Sequence, residues 1–97
     1  MERKLRVPEA IVTLLRGAHP EIKRKTKAGL RRIVENPGKG KSLKDELGGL
    51  RSFPVGRFRI IYRESGEECI DIIAIGPRSV IYEETYRVIK KSKSQQV

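Results

Sequence analysis

Residues 50–63 read LRSFPVGRFRIIYR and predict two short strands joined at a glycine, Gly56. On the second strand arginines alternate with apolar residues, and alternate side chains of a strand point to opposite faces of a sheet. One face is expected to contact a core, through Phe58, Ile60 and Tyr62. The other face is expected to carry three arginines, Arg57, Arg59 and Arg63. Guanidinium groups held in a row on a rigid sheet suit phosphate, because each presents a planar fork of donors. The row indicates a nucleic-acid contact, and the alternative is a solvated polar face.

The residues before this stretch predict one strand and two helices. Residues 3–7 alternate polar and apolar side chains, as is typical of a charged strand at a sheet edge. Pro8 suits the first position of a helix over residues 8–17, and Pro20 begins a second helix that Asn36-Pro37-Gly38 ends. The inner positions of the first helix are Ile11, Leu14, Leu15 and Ala18, and those of the second are Ile22, Thr26, Leu30, Ile33 and Val34. Two antiparallel helices joined by a short turn are expected.

The rest of the chain predicts strands and a last helix. Residues 38–42 are expected to form a basic flexible loop, and residues 43–47 one helical turn. Two strands follow over residues 50–55 and 57–63, then a turn over residues 64–67 and a third strand over residues 69–75. The third strand is nearly continuous apolar sequence, as expected at the centre of a sheet, and Gly76-Pro77 ends it. Ser79 is predicted to cap the last helix, and a polar tail begins near residue 90. The inner stripe of that helix is Ile81, Thr85, Val88 and Ile89.

The order β-α-α-β-β-β-α predicts an α+β fold, in which an N-terminal helical hairpin and a C-terminal helix pack an antiparallel sheet. With 97 residues, the chain is expected to form a single domain over residues 1–97 with a modest core.

The charge of the chain favours an anionic partner. Its net charge is +10, and residues 1–44 carry 13 Lys/Arg but only 4 Asp/Glu. Six cations crowd the second helix: Lys23, Arg24, Lys25, Lys27, Arg31 and Arg32. A charge run is usually a solvated face, but cations without intervening acids repel one another, so a counter-charge is expected. RNA, DNA and an acidic protein segment all remain open as its source.

Composition also argues against several classes of protein. The single cysteine, Cys69, excludes an internal disulfide framework and fits a reducing cytoplasm. The single histidine, His19, falls in the turn between the helices, where a helix cap is the expected role. No acidic cluster has ligand spacing, so no metal or other cofactor is predicted. No apolar run approaches the ~20 residues of a membrane span, and residues 1–6 lead into no signal core. A cytoplasmic protein without a membrane partner is expected.

Three blocks of sequence carry a resemblance to a known family. They are LKDELGGLRS at residues 43–52, VGRFRIIY at residues 55–62, and IGPR at residues 75–78 followed by IYEE at residues 81–84. Together with the order of elements, these blocks make the chain resemble the RelE/ParE superfamily of bacterial and archaeal type II toxins. The resemblance covers roughly residues 3 to 90 and implies the α+β fold given above.

The resemblance implies an endoribonuclease. RelE-type toxins cleave mRNA on the ribosome without a metal: the ribose 2′-hydroxyl attacks the adjacent phosphate while cationic side chains stabilise the negative charge. By position, Arg59 and Arg78 are similar to the family's arginines and Tyr82 to its assisting tyrosine. Further nucleic-acid contacts are expected from Arg51, Arg57, Arg63, Lys23, Lys27 and Arg31. The implied partners are the ribosome, mRNA and a cognate acidic antitoxin.

The chain departs from the family pattern on the strand before Gly56. Many relatives carry alternating basic residues there, and the corresponding positions are Ser52 and Pro54. Arg51 would point to the opposite face of a regular strand. The departure favours an alternative function: a ParE-like inhibitor of DNA gyrase, or a catalytically weakened protein of the toxin fold that acts through antitoxin binding.

Proton transfer has more than one candidate group. With His19 in a turn, it falls to Tyr82 or to a base among Glu83, Glu84 and the lysines. Tyr82 is open to a second interpretation, a core tyrosine with a solvated hydroxyl.

Overall fold

The structure, a computed structural model, describes residues 3–66 and 68–94. Its strands are β1 (Lys4–Arg6), β2 (Lys41–Ser42), β3 (Arg51–Val55), β4 (Phe58–Ser65) and β5 (Cys69–Pro77). Its helices are α1 (Glu9–Arg16), α2 (Pro20–Glu35) and α3 (Ile81–Ser94). Short 3-10 helices, Pro37–Lys39 and Asp45–Leu47, flank β2. The predicted order of elements is confirmed, with β2 as an addition.

The five strands form one sheet in the order β1-β5-β4-β3-β2. The strands from β2 to β5 pair antiparallel, as predicted. The first strand is at an edge, also as predicted, but it pairs parallel to β5, with Lys4 opposite Cys69. The prediction of a wholly antiparallel sheet is therefore wrong for β1. A hairpin turn would force β1 to run antiparallel to the next strand. The chain instead passes through α1 and α2 between β1 and the other strands, so a parallel pairing is possible.

The β3–β4 hairpin has a two-residue turn, Gly56-Arg57, between the paired residues Val55 and Phe58. Gly56 has a φ of +60°, and it stands at the first central position, as in a type II′ turn. Glycine reaches this conformation without the steric penalty of a Cβ. Arg57 is consequently a turn residue and not the first member of a strand.

Each face of the sheet has its own core. The face under the helical hairpin buries Phe53, Ile60, Tyr62, Ile70, Ile72 and Ile75 against Ile11 of α1 and Ile33 of α2. The face under α3 buries Leu50, Ile61 and Ala74 against Ile81. Burying one such side chain stabilises the fold by about 1.5–3 kcal/mol. Neighbours on β4 divide between the two cores, which confirms that Phe58, Ile60 and Tyr62 share the face opposite Arg59 and Arg63.

Tyr62 ties the segment after α2 to the sheet. Its side chain is fully buried, and its hydroxyl donates to the Pro37 carbonyl at 2.6 Å and accepts from the Gly40 N–H at 3.0 Å. A Cβ at Gly40 would overlap that hydroxyl, so only glycine fits there. The prediction of a flexible loop over residues 38–42 is therefore wrong. The basic composition of residues 38–42 suits an exposed edge strand as well as a loop.

Some boundaries and inner positions also differ from the predictions. The ladder continues past Ile75, with Gly76 opposite Arg59, so β5 ends at Pro77. The last helix begins at Ile81 and not directly after Ser79, and it continues through the predicted start of the polar tail. Two predicted inner residues are exposed, Leu14 by 55% and Val88 by 47%. The helices bury narrower stripes than the apolar pattern indicates. Residue 67 of the predicted turn and residues 95–97 of the tail lie outside the described residues.

Candidate nucleic-acid interface

Arg59 and Arg78 lie at the same end of the sheet. On the α3 face, Arg59 of β4 has Pro54 of β3 on one side and Gly76 of β5 on the other. Neither neighbour carries a charge, and Gly76 has no side chain to cover the guanidinium. The segment after β5 is held to the hairpin turn, because the Arg78 N–H donates to the Arg57 carbonyl at 3.2 Å. Three of the predicted arginines are thereby gathered around the β3–β4 turn.

Tyr82, in the first turn of α3, reaches over the same face. Its hydroxyl lies 3.4 Å from the Ser52 hydroxyl, and Ser52 stands two residues before Pro54 on β3. Ser52 is only 2% exposed, whereas Tyr82 is 36% exposed. Tyr82 is thus a surface side chain with one hydrogen-bond partner, and not the core tyrosine of the second interpretation. We refer to Arg57, Arg59, Arg78 and Tyr82 as the arginine end.

The three arginines of the arginine end have no ion-pair partners among the described residues. Within residues 3–66 and 68–94, no Asp or Glu forms an ion pair with Arg57, Arg59 or Arg78. The Arg78 side chain is exposed, and that of Arg59 is partly exposed. These guanidinium groups therefore keep donors available to an anion such as a phosphate.

Arg63 shares the face of Arg59 but has a carboxylate partner. It lies four residues further along β4, or about 13 Å at the usual strand rise. Its guanidinium is 3.3 Å from Asp71 of β5, and Asp71 also binds Arg6 of β1. The hydrogen bond and the charge of Asp71 raise the pKa of Arg6. Arg63 consequently belongs to an ion cluster that joins three strands, away from the arginine end.

Arg51 lies on the opposite face, as its place in the strand predicted. Its guanidinium donates to the Gly40 carbonyl at 3.0 Å, and Glu64 is 3.7 Å away. These contacts hold the segment beside β2, so the structure gives Arg51 a supporting position. It does not bring Arg51 to the arginine end.

Comparison with known proteins identifies the fold. A family model described as the ParE toxin of the type II toxin–antitoxin system parDE matches residues 9–82. The chain belongs to this toxin family. The predicted membership of the RelE/ParE superfamily is therefore confirmed. A search of the curated proteins finds no match to the sequence.

Two solved structures share the fold of this type II toxin. A chain of the toxin–antitoxin complex RelBE2 from Mycobacterium tuberculosis superposes with a TM-score of 0.68, at 23% identity, and the match covers 80% of this chain and 100% of that one. A mutant of the Escherichia coli toxin RelE in the free state superposes with a TM-score of 0.73, at 18% identity, covering 94% of this chain and 98% of that one.

The remaining predicted cations of the toxin form a separate surface. Lys23, Lys27 and Arg31 succeed one another at four-residue spacing on α2, which packs on the other face of the sheet from α3. A groove of 320 Å³ runs beside them, and we call it the hairpin groove. It is lined by Val7, Val12, Leu15, Arg16, Lys23, Lys27 and Leu30, and it is continued by Arg3, Leu5, Arg31, Val34 and one acidic residue, Glu35. An apolar floor with a basic rim suits an acidic amphipathic segment.

Two other side chains clarify the site. His19 caps α2, since its Nδ1 accepts from the Glu21 N–H at 3.1 Å, as predicted. Ser52, which the sequence marks only by the absence of a positive charge, forms a hydrogen bond to Tyr82 that the sequence does not predict. A buried serine on a strand gives no sequence signal for a partner thirty residues later. Among the described residues, no helix is long and apolar enough to cross a membrane.

Proposed function

We propose that this type II toxin is a ribosome-dependent mRNA endonuclease that acts by metal-independent transesterification. The observation that carries the proposal is the arginine end. It combines two arginines at one end of the sheet, neither with an ion-pair partner among the described residues, with a tyrosine hydroxyl on the α3 face. The fold shared with RelE supports the same activity.

The reaction needs cations that are fixed before the charge develops. The ribose 2′-hydroxyl attacks the adjacent phosphorus, and negative charge accumulates on the phosphoryl oxygens in the transition state. Arg59, on a central strand, and Arg78, held by the Arg57 carbonyl, are placed to donate to those oxygens. Each such donor is worth about 3–4 kcal/mol of transition-state stabilisation. Tyr82 orients the reacting groups or moves a proton.

The first experiment maps the 5′ ends of mRNA by primer extension in a cell-free translation reaction, with and without the purified toxin. New ends are expected at ribosome-occupied codons, and they are expected to disappear with Arg78→Ala. Arg87→Ala is the matched control, because Arg87 is ion-paired to Glu83 on the exposed side of α3. Cuts that persist in Arg78→Ala would remove Arg78 from the mechanism. Intact mRNA and normal translation with the wild type would refute the nuclease proposal.

A second function, inhibition of DNA gyrase, has its own supporting observations. The family model that matches the toxin is that of ParE. On the α3 face of β3, Ser52 and Pro54 supply neither a positive charge nor, at proline, a backbone N–H. Under this hypothesis translation continues while supercoiling of plasmid DNA by purified gyrase falls. A supercoiling assay distinguishes it from mRNA cleavage, and unchanged supercoiling would discard it.

We also propose that an acidic antitoxin binds the hairpin groove. The apolar floor and basic rim of the groove support this, as does the similarity to a chain from a toxin–antitoxin complex. An acidic amphipathic helix would bury its apolar stripe against Leu15 and Leu30 while it neutralised Lys23 and Lys27. Calorimetry with the acidic protein encoded next to the toxin tests this. Binding should weaken as salt rises, and absence of binding at low salt would refute it.

A further inference from the structure

Glu84 brings a carboxylate to the arginine end. It lies in the first turn of α3, and its Oε2 is 3.6 Å from the position that a Cβ on Gly76 would occupy. The Ile81 Cδ1 is 3.1 Å from the same position, so both side chains cover this glycine on the α3 face. Glu84 is therefore directed at the sheet, although its side chain remains exposed.

The register of the sheet relates this carboxylate to the cations. Gly76 is the direct cross-strand partner of Arg59, and such partners have Cβ positions about 4.5–5.5 Å apart. Glu84 accordingly lies over β5, on one side of Arg59. Tyr82, two residues earlier and on a different side of α3, reaches Ser52 of β3 on the other side of Arg59. A carboxylate, a guanidinium and a phenol hydroxyl thus border one patch of the sheet.

The Glu84 carboxylate is not engaged elsewhere among the described residues. It forms no ion pair with Arg59 or Arg78, and no side-chain hydrogen bond holds it. Its neighbour Glu83 differs: that carboxylate is 2.9 Å from the Arg87 guanidinium, and both side chains are solvent-exposed. The structure therefore distinguishes two adjacent glutamates that the sequence leaves equivalent.

We infer that Glu84 is the general base of the toxin, which takes the proton from the attacking ribose 2′-hydroxyl. The inference rests on the proposed endonuclease function and names a catalytic residue of the same site. An ionised carboxylate has only acceptor oxygens, whereas a phenol hydroxyl carries a proton that it can donate. At neutral pH a carboxylate is consequently the group able to accept a proton, and a phenol is the one able to donate one.

The proposed step balances without a co-reactant. The O2′–H bond breaks and its proton passes to Glu84, while the O2′–P bond forms and the P–O5′ bond breaks. The leaving 5′ oxygen takes a proton from the Tyr82 hydroxyl. Glu84 then releases its proton to water and Tyr82 regains one from water. The products are a 2′,3′-cyclic phosphate and a 5′-hydroxyl end.

The test compares Glu84→Gln with Glu83→Gln in the cell-free translation reaction, with cutting rates followed across pH. Glu84→Gln preserves the size of the side chain and removes the base, so cutting should fall by about 10²–10⁴-fold. The rise of the wild-type rate with pH on the acid side should disappear in the same variant. Glu83→Gln should cut like the wild type, and Glu84→Asp should recover part of the rate together with the acid-side rise.

The outcomes separate the inference from the function on which it rests. A wild-type toxin that cuts, with a Glu84→Gln variant that cuts equally well, overturns the role of Glu84 and leaves the endonuclease standing. Slower cutting by Glu84→Gln with an unchanged pH profile shows a positioning role and also overturns the inference. A wild-type toxin that makes no cuts overturns both. Thermal melting of each variant identifies any loss of rate that comes from unfolding.

Discussion

At the scale of single residues, Tyr62 illustrates how a side chain of the predicted core takes on a second role. Its ring fills the core under the helical hairpin, while its hydroxyl forms hydrogen bonds with the backbone of Pro37 and of Gly40, in the segment that follows α2. Alternation along β4 predicts that the ring is buried. It does not predict the hydrogen bonds, because both partners belong to a segment whose sequence favours a loop.

Tyr62→Phe should destabilise the toxin by about 1–3 kcal/mol at neutral pH, since it leaves the buried Gly40 N–H and Pro37 carbonyl without their partner. The effect should depend on pH, because burial raises the pKa of Tyr62. A raised pKa gives stability that is complete below the ordinary phenol value and is lost as pH rises through the folded value. Urea unfolding from about pH 8 to about pH 11 should therefore show the gap between wild type and variant narrowing above pH ~10.

Tyr86→Phe is the control for this experiment, since Tyr86 is exposed on α3. A gap between Tyr62→Phe and wild type that stayed constant across the alkaline range would mean that ionisation of Tyr62 does not contribute to unfolding.

At the scale of elements, close packing of α2 on the sheet depends on Gly29. The residue is buried in the middle of the helix, and a Cβ there would lie 2.7 Å from the Val55 Cγ2 and 3.3 Å from the Ile60 Cδ1. Glycine costs a helix interior about 1 kcal/mol relative to alanine. The close approach of helix and sheet offsets that cost through the apolar area it buries.

Gly29→Ala should therefore destabilise the toxin although it improves helix propensity. The valine beside the new methyl group is short and branched, so the helix must move, and overpacking of this kind costs about 1–3 kcal/mol. Thermal unfolding measures the effect. Gly38→Ala is the control, because the nearest atom to its Cβ would be 3.6 Å away. Equal melting temperatures for Gly29→Ala and wild type would show that the contact relaxes at no cost.

The elements also show what the sequence can and cannot predict. Except at the C-terminal end of α3, the helices and the long strands agree with the periodic pattern to within about two residues, the usual uncertainty at element ends. The partner of each strand is harder to predict. The strand β1 pairs with β5, and residues 3–7 alone do not encode which strand that partner is. The bulge in the β4–β5 ladder near Ile61 sets Arg63 opposite Asp71, so its ion pair was not predictable. Arg59 and Tyr82, in contrast, were assigned by position, and the structure places both on one face.

At the scale of the whole molecule, the positive charge divides between two surfaces on opposite sides of the sheet. Arg59 and Tyr82 of the arginine end lie on the α3 side, and the hairpin groove lies beside α1 and α2. Arg57, in the β3–β4 turn, lies between them, because it lines a pocket with Glu21 and Lys25 of α2. Under the proposed function, this separation lets one surface bind the acidic antitoxin while the other faces the mRNA substrate.

Reversing the charge of the groove should separate the two activities. The double variant Lys27→Glu/Arg31→Glu should lose most of its affinity for the adjacent acidic protein, because two attractive charges at the rim become repulsive. Arg78→Ala should keep that affinity. Calorimetry against the acidic protein measures both. Equal loss of affinity in the two variants would show that the partner covers the arginine end as well as the groove.

The pairing of β1 with β5 determines how much of the toxin must be synthesised before its fold can be complete. Chains are made from the N-terminus, and Lys4 has no strand partner until Cys69 has been added. Arg78 and Tyr82 follow later still, after the strand that β1 requires. A nascent chain thus carries its basic helices long before it holds the complete five-stranded sheet or all residues of the arginine end. The complete arginine end therefore forms only after Tyr82 has been added.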